Sequence, residues 1–158
     1  MQEEKKKYRR LKLPNMGIVI KVFKHHEMIK KAVMEYRNDN NSLGNGQFVN
    51  SKTSFSSPTE RKAIYELSEI RSVTCEDGFI CKRPERWLEV INKTLNYCQK
   101  EDKIIKRIVE LWIDGHSIIK ICLTLNVSRT RCYEILNQVQ CYALSLAIQK
   151  GLTKIEGD

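Results

Sequence analysis

The chain has 158 residues, 41% of them hydrophobic and 30% charged, enough apolar content for one compact domain or two small ones and too much for full disorder. Lys and Arg number 28 against 19 Asp and Glu, a formal charge of +9 that favours a polyanionic partner, nucleic acid ahead of an acidic membrane surface. No apolar run approaches the roughly 20 residues of a membrane-spanning helix, and the short patch Met16 to Phe23 contains Lys21 and no cleavage site after it, so the expectation is a cytoplasmic protein with no membrane partner.

Residues 1–38 read as a basic arm and a helix. The arm carries Lys5, Lys6, Lys7, Arg9, Arg10 and Lys12 against Glu3 and Glu4, a solvated run whose sharper reading is phosphate contact. Helical spacing of Val19, Val22, Phe23, Ile29, Val33 and Tyr36 predicts a helix from about Met16 to Arg37, with His25 and His26 solvated on it; the alternation Ile18, Ile20, Val22 fits a short strand at its start as the other reading. Residues 39–57, rich in Asn, Ser and Gly, read as a flexible linker. Residues 58–100 form a helical middle region. Ser57 as N-cap, Pro58 in the first helical position and Glu60 three residues after the cap open one helix, lined by Ala63, Ile64, Leu67, Ile70 and Val73. A turn at Cys75-Glu76-Asp77-Gly78 follows. Pro84 then opens a helix whose face of Trp87, Leu88, Ile91, Leu95 and Cys98 either packs within the chain or forms a dimer seam. The expected fold class is all-α.

Six cysteines stand at 75, 81, 98, 122, 132 and 141, with no C-x-x-C pair. With His25, His26 and His116 they complete no zinc set, so no metal and no cofactor is expected. Cys122, Cys132 and Cys141 fall on apolar helical positions, where a reduced thiol acts as a small hydrophobe; a Cys75–Cys81 pair stays open.

Residues 101–158 are the informative part. Lys103 to Asp114 reads as a helix with Ile104, Ile105, Ile108, Leu111 and Trp112 inward, stopped by Gly115. Glu101 and Asp102 read as its N-terminal cap cluster. Ser117 caps a short helix from Ile118 to Leu125, and Ser128 caps another from Arg129 to at least Gln140. Two helices across a turn of three or four residues match a helix-turn-helix, which needs apolar contacts, a small residue at the crossing and a turn residue that tolerates positive φ. Ile121, Leu125, Val127, Cys132 and Ile135 supply the first, Cys122 the second and Asn126 the third. A plain helical hairpin would need no such combination. The predicted DNA-binding residues are Lys120, Ser128, Arg129, Thr130, Arg131, Tyr133, Glu134 and Asn137. Arg suits guanine, Asn adenine, Thr the thymine methyl and Glu cytosine, while Ser128 and Lys120 suit phosphate. Lys103, Lys106 and Arg107 would add backbone contacts.

The run from Arg107 to Val139 resembles the C-terminal DNA-binding region of sigma factors. The chain as a whole resembles the ArpU and RinA type of phage transcriptional regulators, through the helix around Trp87, the segment Leu125 to Gln138, the late Ala147 to Leu152 and, less strongly, Ser56 to Leu67. Asn126 in place of glycine, and Ile121-Cys122 in place of a small-residue pair, depart from the usual pattern. The resemblance implies an activator of phage or prophage late genes in a bacterial host, with double-stranded DNA, RNA polymerase and a second protomer as partners.

No Gly-rich phosphate loop, H-E-x-x-H or nucleophile elbow is present, and the carboxylates do not converge, so the chain is not expected to be an enzyme. The competing reading is a phage small terminase subunit, which also joins a helix-turn-helix to oligomerising helices. A third is an interaction module whose basic surface meets an acidic protein.

Overall fold

The computed structural model describes residues 15–42, Thr59, Ala63 and 68–154. These residues are mostly helical: α1 (Met16–Lys24), α2 (His26–Ser42), α3 (Pro84–Glu101), α4 (Lys103–Ile113), α5 (Ile118–Leu125) and α6 (Arg129–Gln149). A small antiparallel hairpin, β1 (Ser72–Thr74) and β2 (Ile80–Lys82), precedes α3. The mostly helical architecture is as expected, and the hairpin adds a small sheet to it. Val73 lies on β1 opposite Cys81, and Ile70 leads into the strand, so neither belongs to the helix predicted for them. Ser72-Val73-Thr74 is a short polar–apolar alternation around a β-branched centre, which suits a half-buried strand. Val73 and Cys81 face inward while their neighbours face out. Gly78, at φ 88, closes the turn with its amide on Cys75 O at 2.9 Å. The predicted turn is therefore present, with strands rather than helices on its two sides.

The helix predicted over Met16 to Arg37 is divided at His25, whose amide bonds to Lys21 O and Val22 O at 3.0 and 3.2 Å. Its second part runs on to Ser42, so the first residues assigned to the linker are helical. The histidines are not solvated as expected. His26 is buried. His25 is half-buried, with Nδ1 on Lys21 O at 2.6 Å, Nε2 on Asp77 at 2.7 Å, and its ring stacked on Phe79. Lys31–Glu76 and Arg37–Glu85 ion pairs add to this tie between α2, the hairpin turn and α3. The basic arm, residues 43–57 and most of the helix expected after Ser57 lie outside the described residues; Thr59 and Ala63 are helical and exposed.

One core runs through the described helices. Pro84 at the first position starts α3, and its buried stripe is Trp87, Val90, Ile91, Thr94 and Cys98, with Leu88 and Leu95 half-buried. This face packs within the chain, against α4 and α6, and Tyr97 stacks on Tyr142 at 4.2 Å. Asp102 alone separates α3 from α4. Its extended backbone breaks the helix, and its carboxylate accepts the Ile104 amide at 2.9 Å. Within α4, Ile108, Val109, Leu111, Trp112 and Ile113 are buried, whereas Ile104, expected inside, is exposed in the first turn. Phe23 of α1 meets Trp112 with ring centroids 6.2 Å apart, and α1 also packs on α6. The six cysteines are free thiols, Cys75, Cys81, Cys98 and Cys132 buried and Cys122 and Cys141 half-buried. No described helix is long and apolar enough to cross a membrane.

Candidate nucleic-acid interface

The stretch from α4 to α6 is organised by three local signals. Gly115, at φ 88, ends α4, with the His116 amide reaching back to Leu111 O at 3.1 Å. Ser117 Oγ then accepts the Lys120 amide and starts α5, and Ser128 Oγ accepts the Arg131 amide and starts α6, both at 3.2 Å. Between α5 and α6 stand only Asn126, Val127 and Ser128. Asn126 adopts the left-handed region, φ 54 and ψ 47, and the Val127 amide bonds to Cys122 O at 3.1 Å. Asn is the residue, after glycine, that enters this region at least cost.

The seam between the two helices is apolar. Ile121, Cys132, Ile135, Leu136 and Val139 are buried, with Cys122, Leu125 and Val127 half-buried against them. Burial pushes the Cys132 thiol up to about 11, and the Cys122 thiol beside it adds to the rise. The opposite side of α6 is open. All eight residues singled out from the sequence, Lys120, Ser128, Arg129, Thr130, Arg131, Tyr133, Glu134 and Asn137, are exposed. Arg129, Thr130, Tyr133, Glu134 and Asn137 share one flank of the helix, since positions three and four apart lie above one another. Tyr133 is 47% exposed.

Charge on this surface is unevenly compensated. Arg131 stands 3.7 Å from Glu134. Among the described residues, neither Lys120 nor Arg129 has an ion-pair partner. Of the cations expected to reach phosphate from α4, Lys106 and Arg107 share Glu110, both at 3.7 Å, while Lys103 is exposed with no ion pair among the described residues. The first amides of α6, those of Arg129 and Thr130, precede the first available helical acceptor and point outward from the helix start. Together these groups can hold a phosphate oxygen and place hydrogen-bonding side chains beyond it.

Two features of this face were not read from the sequence. Gln138 is exposed four residues after Glu134 and extends the polar flank; its spacing was the available signal. Ile119 and Leu123, four apart on α5, are 53% and 79% exposed. No cluster of His, Cys, Asp or Glu among the described residues could hold a metal ion. Compared with known proteins, the chain matches no family model, no curated protein and no solved structure.

Proposed function

We propose that the protein is a sequence-specific regulator of transcription that binds double-stranded DNA and reads the major groove with the start of α6. The observation that carries this reading is the pair of capped helices joined through Asn126, with the Arg129-to-Asn137 flank outward and Cys132, Ile135 and Leu136 inward. A helix presented in that way fits the groove while its partner helix crosses the backbone. The charge of +9, together with Lys120 and Arg129, which have no ion pair among the described residues, supplies the attraction to phosphate.

In this reading the DNA-binding unit occupies the residues from about 101 onward, and α1 and α3 brace its reading helix from behind. The basic arm would serve phosphate contact, and the upstream helices would meet RNA polymerase or a second protomer. The resemblance to ArpU and RinA regulators supplies the finer terms: an activator of phage or prophage late genes, acting in the bacterial cytoplasm.

Selection of bound fragments from a random duplex pool tests the reading. The expected result is one enriched motif, with two-fold symmetry if the protein binds as a dimer. Arg129→Ala should then weaken binding by about 1–3 kcal/mol and blur the motif at one position. A pool that stays random, with Arg129→Ala binding like wild type, would overturn the assignment of the reading helix. A ring of many copies that binds packaging sites and leaves promoters untouched would favour the terminase reading.

A further inference from the structure

The end of α6 opposite its reading turns gathers basic residues from the hairpin, the start of α3 and the segment after α6. Lys82 pairs with Ser72 across the hairpin, and because Val73 and Cys81 face inward, Lys82 faces out. One rung further, the Arg83 amide donates to Arg71 O at 2.8 Å, which sets these two residues opposite each other. Arg83 Nη1 reaches Gly151 O at 3.3 Å and Arg86 Nη1 reaches Lys150 O at 3.2 Å, fastening this region to the end of α6. Lys154 follows three residues after Gly151, its carbonyl accepting from the Asn15 side chain at 2.8 Å. The carboxylates at this end are already engaged. Glu69 pairs with Arg86 at 2.6 Å, Glu89 is shared by Lys150 and Lys93 at 2.6 and 3.2 Å, and Glu85 is taken by Arg37 at 2.7 Å. Glu76 and Asp77 stand at the other end of the hairpin, in its turn, bound by Lys31 and His25. Arg71, Lys82 and Lys154 are exposed, and none has an ion pair or a side-chain hydrogen bond among the described residues.

We infer that this end is a second phosphate-binding surface, occupied by the backbone of a separate stretch of duplex DNA, so that one protomer bridges two duplexes. The bridging rests on the DNA-binding reading above; the affinity of this end for phosphate does not. Exposed Lys and Arg side chains without acidic partners attract phosphate and release its counterions while reading no sequence. The two ends stand about 31 Å apart along α6, from its 21 residues at about 1.5 Å each. Only the first turns of α6 are open. A duplex seated on them lies across one end of the molecule and does not follow the buried remainder of the helix to the other. Duplex DNA is stiff over about 150 base pairs, so a short one does not curl round to meet both ends. The far surface is therefore met by a second duplex, or by a distant stretch of the first.

The test saturates a bead-bound copy of the selected duplex with full-length protein and measures capture of a fluorescent random duplex from solution. Wild type should capture it, less as salt rises. The Arg71→Ala/Lys82→Ala variant should bind the selected duplex like wild type and capture roughly tenfold less of the second, its slope of log affinity against log salt lower by about 2. Lys82→Glu alone, on the outward face of the hairpin, should give a similar loss with an unchanged urea midpoint, which separates lost charge from lost fold. No capture by wild type overturns the proposal. So does undiminished capture by both variants, the result if two protomers each lend a reading helix, and so does a loss that appears only with a lowered midpoint. Binding to phosphatidylserine vesicles without capture of duplex would make the surface a membrane contact and overturn it too. Binding of the random duplex in solution needs no selected site. There Lys82→Glu should weaken the protein whether or not Arg129→Ala does, so a failed reading helix and a failed second surface are told apart.

Discussion

Asn126 gives the sharpest test of how the turn is made. Its backbone sits at φ 54 and ψ 47, its own amide closes α5 on Cys122 O, and its side chain is exposed. Substitutions there therefore act on the backbone conformation, with little packing to lose. For an L-residue the left-handed region costs about 1–2 kcal/mol, which Asn reduces through local hydrogen bonding. Asn126→Ala should accordingly destabilise the protein by about 1 kcal/mol. Asn126→Val, branched at Cβ and a true outlier at positive φ, should cost about 2 kcal/mol. Asn126→Gly removes the steric cost but frees the unfolded chain by about 0.4–1 kcal/mol, so it should stay within about 0.5 kcal/mol of wild type. Urea unfolding followed by far-ultraviolet circular dichroism measures all three, with an unchanged slope certifying that only stability moved. The signature is the order Asn close to Gly, then Ala, then Val. If Ala and Val unfold with wild-type midpoints, the left-handed turn is not what joins these helices.

Three further outcomes follow from the same geometry. Ser128→Ala removes the acceptor of the Arg131 amide at 3.2 Å and should cost about 1 kcal/mol in urea unfolding, with Ser128→Asp restoring most of it. Lys120→Ala should weaken binding equally to specific and random duplexes and lower the slope of log affinity against log salt by about 1, a contact that positions without reading bases. His26 is held below its ordinary value of 6.5, first by burial and then by Lys30, against opposing pulls from Glu27 and Asp114. The fold thus prefers the neutral imidazole. This contribution is complete above the unfolded value of 6.5 and drains as pH falls below it. The melting temperature of wild type should drop between about pH 7 and pH 5 more steeply than that of His26→Gln. Parallel curves would place His26 in contact with solvent.

What was legible in the sequence is what local chemistry specifies. Ser117 and Ser128 as caps, Asn126 and Gly115 at positive φ, Asp102 at the head of α4 and Pro84 at the head of α3 each act within four residues of themselves. The bounds of α5 could be read to the residue for that reason. The exposure of the eight candidate residues followed once the seam was identified, because burying Cys132, Ile135 and Leu136 turns Arg129, Tyr133 and Asn137 outward. The hairpin was missed because strands of three residues show too little alternation, and Ile70 and Val73 also fit a helical spacing. The break at His25 was missed because its cause is distant in sequence. His25 ends one helix locally, but Asp77 and Phe79 hold its ring, and no window of residues around 25 contains them.

The same distinction between local and distant causes explains the length of α6. Its 21 residues span roughly 31 Å at about 1.5 Å per residue. Only the first turns form the exposed flank. Beyond them Val139, Gln140, Ala143, Leu144 and Ala147 are buried, and the helix packs on α1 and α3. At the far end Arg83 and Arg86 donate to Gly151 O and Lys150 O, and Lys150 pairs with Glu89 at 2.6 Å. A short reading helix held only by α5 could rock about the three-residue turn. Continuing it into the core removes that freedom, because tilting the exposed end would have to displace Leu136 and Val139 from a close-packed interior. Preorganisation of this kind lowers the ordering cost of binding. It also means that the orientation of Arg129 is set in part by α1 and α3, which pack on the same helix.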